Sequence, residues 1–321
     1  MKATAEIPQR RLGGSGPKLS VIGLGGWEAG GGRTWGRNED DREVVRALRR
    51  GWDLGANWID TAEVYAEGGS EELIGCALAG YPQVRVMSKV GPRPDGSGVR
   101  PEEIQVAIEG SLRRLRRESL DLYLVHWRDP GVPLEDTWGA MAQLVERGLV
   151  QHIGVSNFCA SDLEACAAIR PVEILQLQGS LLYRDELEAL GPVCRRLSTG
   201  IVCYGSLAYG LLSGGFSRDV EDWRGGKEAS DDFFVVENFD RFFAPGVLPG
   251  QLARVTAVRA VAAELGLTAA QAALAWLLAQ PGVSAAIVGS RSVRHIEENL
   301  AAAAVRLSQE ERRRLLEAVE G

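Results

Sequence analysis

Asp60, Tyr65, Lys89 and His126 are the residues of this 321-residue chain whose types and placement could move a proton. Asn57 to Ile59 reads as the end of a buried strand, after which Asp60-Thr61 opens a loop that carries Tyr65. Val84 to Lys89 and Asp121 to His126 are two more apolar runs that close on a titratable residue. A phenol with a reference pKa of about 10 keeps its proton at neutral pH and releases it reluctantly, so it needs a cation beside it to act as an acid. A carboxylate, a phenol, an ammonium and an imidazole, each where a strand gives way to a loop, form a proton-donating set rather than a metal site.

Basic residue usage singles out Lys89. Of the 36 basic residues only Lys2, Lys18, Lys89 and Lys227 are lysines, and the rest are arginines. Where a generic cation serves, this chain uses Arg, so a Lys at a strand end points to a need for a compact charge. His152 lies inside an apolar run with no comparable company and reads as structural.

Eight short β-branched runs position these residues, beginning near Val21, Asn57, Val84, Asp121, Val150, Glu173, Gly200 and Ser284. Between them lie helical patterns at Asp41 to Leu54, Ser70 to Leu78, Pro101 to Arg116, Leu134 to Arg147, Ser161 to Ile169, Asp185 to Leu197, Thr268 to Ala279 and Ser292 to Ala303. Eight strand-helix units predict one closed (β/α)8 TIM barrel over residues 1–321, whose active residues belong at the C-terminal strand ends. A doubly wound open sheet is the rival, but no strand is followed by Gly-x-Gly-x-x-Gly and a helix. Residues 1–20 predict a hairpin across the barrel bottom, turning at Gly14-Ser15-Gly16-Pro17. After the seventh strand, residues 213–250 form a long insertion whose Trp223, Phe233, Phe234, Phe242 and Phe243 suit a folded lid.

Composition narrows the partners. A net charge of −7 with pI near 5.3 recommends neither nucleic acid nor an anionic membrane. No signal-peptide core and no apolar run of about 20 residues is present, which predicts a cytoplasmic protein. Cys76, Cys159, Cys166, Cys194 and Cys203 are odd in number and without Cys-x-x-Cys spacing, so they read as reduced core thiols. Only three histidines, none paired with a carboxylate at ligand spacing, argue against a metal-dependent isomerase.

Together the motifs Arg11-Leu12-Gly13, Asp60-Thr61-Ala62-Glu63-Val64-Tyr65, Gly69-Ser70-Glu71, Ser88-Lys89, Leu124-Val125-His126, Gly154-Val155-Ser156-Asn157-Phe158 and Ile287-Val288-Gly289-Ser290-Arg291 resemble the aldo-keto reductases over nearly the whole chain. The resemblance implies hydride transfer from NADP(H) to a small-molecule aldehyde or ketone, with Asp60, Tyr65, Lys89 and His126 as the catalytic tetrad. It implies that Ser156, Asn157 and Gln176 hold the nicotinamide carboxamide, that Tyr204 stacks on the ring, and that Gly205, Ser206, Leu207 and Ala208 wrap the pyrophosphate with backbone amides. Ser290 and Arg291 would serve the adenosine 2′-phosphate, with Gly289 also against the cofactor and His295 near the adenosine, Glu298 and Asn299 the adenine, and Trp27 and Trp127 the pocket walls, Trp27 beside the cofactor as well. His295 replaces a usual Arg or Gln, Gly205-Ser206 a usual Ser-Pro, and Gly179 a frequent Tyr. The family also includes potassium-channel β subunits that act chiefly as regulatory partners. Those carry Asn where this chain has His126, which favours an enzyme.

Overall fold

The computed structural model describes residues 7–91, 93, 97–216, 219–226 and 233–321. A hairpin of β1 (Gln9–Arg11) and β2 (Lys18–Ser20) precedes the barrel, with Arg10 opposite Leu19. Eight parallel strands then close in one ring: β3 (Ile22–Gly25), β4 (Trp58–Asp60), β5 (Arg85–Val90), β6 (Leu120–Val125), β7 (Val150–Ser156), β8 (Ile174–Gln178), β9 (Gly200–Tyr204) and β10 (Val283–Gly289), which pairs back to β3. This is the (β/α)8 barrel with an N-terminal hairpin that the strand-helix pattern predicts.

The helices cover the outside. In chain order they are α1 (Gly32–Trp35), α2 (Asp41–Asp53), α3 (Gly69–Ala77), α4 (Pro101–Leu115), α5 (Leu134–Glu146), α6 (Ala160–Ile169), α7 (Asp185–Leu197), α8 (Phe233–Asn238), α9 (Leu248–Glu264), α10 (Ala269–Leu278), α11 (Val293–Ala301) and α12 (Gln309–Glu320). Helix α2 shows why they form where they do. Asp40 caps its first turn by accepting from Arg42 N, and Val44, Ala47, Leu48, Gly51 and Trp52 fall on one buried stripe at helical spacing. At α4, Pro101 opens the helix and the Glu103 carboxylate takes the backbone N–H groups of Gly98 and Arg100 at 2.9 and 3.0 Å.

The barrel interior is packed, not hollow. Leu12, Leu19, Trp58, Met87, Leu122, Leu124, Ile174, Val202, Ala285 and Ile287 make one buried cluster, with Leu12 and Leu19 entering from the hairpin to seal the bottom. Arg10 ties that hairpin down through bonds of 2.8 Å to the carbonyls of Leu278 and Val283.

Two expectations are corrected. Helices α9 and α12 were not anticipated by the helical patterns. Cys76 and Cys159 are exposed, so only Cys166, Cys194 and Cys203 are core thiols. The segment 213–250 is partly helical, with short turns at Trp223–Gly225 and Phe239–Phe243 besides α8. The Phe233 and Phe234 side chains of the expected lid lie outside what the structure describes. No single helix among the described residues is long and apolar enough to cross a membrane.

Candidate active site

Strand alternation builds the site directly on the barrel plug. Successive side chains of a strand point to opposite faces, so the residue two positions after an inward plug residue also points inward, one layer higher. Trp58 is followed in this way by Asp60, Met87 by Lys89, Leu124 by His126, Ile174 by Gln176 and Val202 by Tyr204. Tyr65 reaches the same mouth from the short turn Tyr65–Gly68 after β4, where Ala66 and Glu67 hold positive φ values of 50° and 55°. Such angles cost about 1 to 3 kcal/mol for non-glycine residues and are found where function overdetermines the backbone.

The four residues converge. Lys89, fully buried, donates to Asp60 Oδ2 at 2.7 Å, to the Thr61 carbonyl at 2.8 Å and to the Tyr65 hydroxyl at 3.1 Å. An ammonium has three donors, and these contacts account for all of them. Burial pushes the Asp60 carboxyl up and the Lys89 ammonium down, and each opposes the other's shift by charge, so the pair is held ionised by mutual contact. Gln176 Nε2 donates to Asp60 Oδ1 at 2.7 Å, and Asn157 Nδ2 donates to the His126 carbonyl at 3.0 Å.

His126 Nε2 lies 3.5 Å from the Tyr65 hydroxyl. Burial, and then the Lys89 charge, hold the imidazole well below its ordinary pKa of 6.5, so it is neutral. Its Nδ1 is buried without a hydrogen-bond partner among the described residues. A buried orphan donor is rarer and costlier than an orphan lone pair, which assigns the single proton to Nε2, facing Tyr65.

A cavity of about 2070 Å³ opens above this cluster. Ligand pockets commonly run about 300 to 1,000 Å³, so the space suits a ligand as large as a dinucleotide together with a small substrate. Asp60, Tyr65, His126, Trp27 and Trp127 line it, as do Asn157, Gln176, Tyr204, Gly205, Ser206 and Leu207. Gly289, Ser290, Arg291, His295, Glu298 and Asn299 line its other end. Lys89 and Ser156 lie behind the wall, and Ser156 Oγ accepts from Asn157 Nδ2 at 3.0 Å. Tyr204 donates its hydroxyl to Asn157 Oδ1 at 2.7 Å. Ala208 corrects the expected amide cradle: it is fully buried, and its N–H is spent on the Gly205 carbonyl at 2.8 Å. From the insertion, Trp223 packs among aromatic rings, its centroid 6.2 Å from Trp27, 5.3 Å from Tyr209 and 5.3 Å from Phe243.

Two features have no counterpart in the sequence reading. Arg291 donates Nε to the Glu28 carbonyl at 2.9 Å and Nη2 to the carbonyls of Trp35 and Gly36 at 2.8 and 3.3 Å, so it clamps the loop after β3 as well as lining the cavity. Glu28 itself lines the cavity, next to the recognisable Trp27, yet a lone carboxylate in a Gly-rich loop carries no sequence signal. His295 is exposed and accepts from Arg294 through Nε2 at 2.8 Å.

The Aldo/keto reductase family model matches residues 21–320. Among curated proteins, the chain is 31% identical to Probable aldo-keto reductase 1 of Glycine max, over 98% of this chain and 90% of that one. Among solved structures it is similar to the glycerol dehydrogenase AKR11B4 of Gluconobacter oxydans, with 29% identity, a TM-score of 0.81 and coverage of 99% and 95% of the two chains. An aldo/keto reductase of Klebsiella pneumoniae solved in complex with NADP and acetate superposes with a TM-score of 0.68 and 32% identity, over 93% of this chain and 90% of that one. With the tetrad assembled at the barrel mouth and the family model spanning nearly the whole chain, the protein belongs to the aldo/keto reductase family of oxidoreductases.

Proposed function

We propose that the chain is an NADPH-dependent reductase of aldehydes or ketones in which Tyr65 delivers the proton. The observation that carries this reading is the third donor of Lys89: with Asp60 and Thr61 taking two, the last N–H is aimed at the Tyr65 oxygen at 3.1 Å. Negative charge left on that oxygen is stabilised where it forms, which is the condition for a phenol to act as an acid at neutral pH.

The donor set of the cavity fits NADP(H). Gly25 and Gly289 pair at adjoining strand ends and both line the cavity, so no side chain of theirs stands between backbone and a ligand. Ser290 and Arg291 supply a hydroxyl and a guanidinium suited to a phosphate dianion, with Glu298 and Asn299 beside them for the adenine. Asn157, Gln176 and Tyr204 form the polar and aromatic surface near the tetrad that suits a nicotinamide, and Gly205 to Leu207 suit the pyrophosphate. When bound, the cofactor supplies the hydride.

The chain's own residues do the rest. His126 offers its Nε2 proton to the substrate oxygen and stabilises charge gathering there. Tyr65 gives its proton to that oxygen, and Lys89 with Asp60 balances the tyrosinate left behind. Trp27 and Trp127 line the cavity beside the tetrad and exclude water from the exchange. Purified protein is expected to oxidise NADPH when given reactive aldehydes. NADPH binding without turnover across a broad aldehyde and ketone panel would instead indicate a regulatory, cofactor-sensing protein.

A further inference from the structure

Glu71 is a fully buried carboxylate outside the tetrad, in the first turn of α3 and just past the turn that carries Tyr65. Both of its oxygens are taken. Oε1 accepts from Ser88 Oγ at 2.5 Å, and Oε2 accepts from Arg114 Nε and pairs with Nη2, each at 2.7 Å. Successive strand residues face opposite ways, so while Lys89 points into the barrel Ser88 points out at the helices, and Glu71 grips β5 from behind the ammonium. Arg114 packs on the Tyr65 turn: a methyl on Gly68, its last residue, would lie 2.8 Å from Arg114 Cδ and 2.9 Å from Nε. Beside Glu71, the Ser70 hydroxyl donates to the Gly26 carbonyl at 2.7 Å and so accepts from Thr61 Oγ1 at 2.8 Å. That bond fixes the residue whose carbonyl takes one N–H of Lys89.

We propose that Glu71 is a positioning residue of the proton relay: by joining β5 to the turn that carries Tyr65, it sets the separation between the Lys89 ammonium and the Tyr65 oxygen. The proposal rests on the reading of Tyr65 as the acid. Neither partner holds that separation of 3.1 Å unaided. Lys89 reaches it on a flexible four-carbon stem, and Tyr65 stands on a turn whose Ala66 and Glu67 keep positive φ, a conformation that persists only where its surroundings overdetermine it. Glu71 supplies the surroundings on both sides, through Ser88 on the strand and Arg114 against the turn. The attraction that makes the phenol acidic weakens as ammonium and oxygen part, and the hydrogen bond between them is lost sooner still. Glu71 is not among the residues that line the cavity, so it acts through the groups it holds and touches neither substrate nor cofactor.

Single-turnover oxidation of NADPH with para-nitrobenzaldehyde, followed from neutral to alkaline pH in Glu71→Gln and Ser88→Ala, tests the proposal. The rate requires a protonated Tyr65, so it falls as pH rises through the phenol's pKa, and a phenol that loses its cation titrates at higher pH. Both variants are expected to lose about tenfold of the plateau rate. The falling limb is expected to move up by about half a pH unit or more, a roughly threefold weaker acid, with NADPH affinity within about twofold of the wild type. A lower rate with the limb unmoved would make Glu71 a structural staple and overturn the proposal, as would wild-type rates in both variants. Were Glu71→Gln not to fold, Ser88→Ala decides alone, because it leaves the β5 ladder and the Glu71–Arg114 pair in place. A wild-type protein that binds NADPH and never reduces the aldehyde would overturn the reading of Tyr65 itself, a separate outcome.

Discussion

Gln176 donates to Asp60 Oδ1 at 2.7 Å while Lys89 holds Oδ2 at the same distance, so one buried carboxylate is fixed from both sides. The amide nitrogen, not its oxygen, must face the carboxylate, which leaves Oε1 as the end of Gln176 that can accept from a ligand. Gln176 therefore acts on the proton relay through Asp60 as well as on the cavity. Gln176→Met keeps the volume and removes the donor. A hydrogen bond to a charged group contributes about 1.5 to 3 kcal/mol, so turnover at saturating NADPH is expected to fall roughly tenfold to a hundredfold. A variant whose cofactor KM rises while its turnover stays intact would show that Gln176 serves the cofactor only.

His126 gives stability a pH dependence. Its folded-state pKa lies well below 6.5 because burial and Lys89 disfavour the charged ring. As pH falls below about 6.5 the unfolded chain gains a proton that the folded chain refuses, so folding stability drops by up to about 1.4 kcal/mol per pH unit from this group. His126→Gln removes that proton difference. Urea unfolding at pH 7.5 and 5.5 is expected to show a smaller loss on acidification in the variant, and parallel losses in the two proteins would exclude His126 as the source.

Two glycines predict opposite signs. A methyl on Gly23 would fall 2.0 Å from the Trp58 indole, and that ring cannot yield because its Nε1 is bonded to the Ser20 carbonyl at 2.9 Å. Gly23→Ala is expected to destabilise by about 3 kcal/mol or more, the upper end for an overpacked core. Gly139, within α5, has no neighbour within 4 Å of an added methyl, so Gly139→Ala should stabilise by roughly 0.5 to 1 kcal/mol. Thermal unfolding of the two variants checks both signs.

The barrel was legible because parallel strands buried on both faces leave unbroken apolar runs, each closing on a polar residue at the mouth. The tetrad was legible because those closing residues are chemically distinctive. Helix α9 was hidden by its own start, since Leu248-Pro249-Gly250 reads as a turn although Pro is well suited to the first helical turn. Helix α12 buries only Leu315 and Val319, too thin a stripe to stand out among its charges. The Arg291 clamp depends on main-chain carbonyls brought together across more than 250 residues, and no local pattern carries it.

Arg291 has two tasks to lose. Arg291→Ala removes a charged donor near the expected 2′-phosphate and releases the loop after β3 from three carbonyl bonds. NADPH affinity is expected to fall about tenfold to a hundredfold, with a smaller fall for NADH through the released loop alone. Equal losses for the two cofactors in binding titrations would leave Arg291 with the clamp and without the phosphate.

The central claim is that Tyr65 protonates the substrate oxygen, and single-turnover NADPH oxidation by Tyr65→Phe tests it most directly. The phenol hydroxyl accepts from Lys89 at 3.1 Å and lies 3.5 Å from His126 Nε2, on the side where the substrate oxygen is expected, so NADPH binding should stay within about twofold of the wild type. General acid catalysis contributes about 10²- to 10⁴-fold, and the oxidation rate with a reactive aldehyde is expected to fall by that factor. Wild-type single-turnover rates in Tyr65→Phe, with NADPH bound normally, would contradict the account and require a different acid.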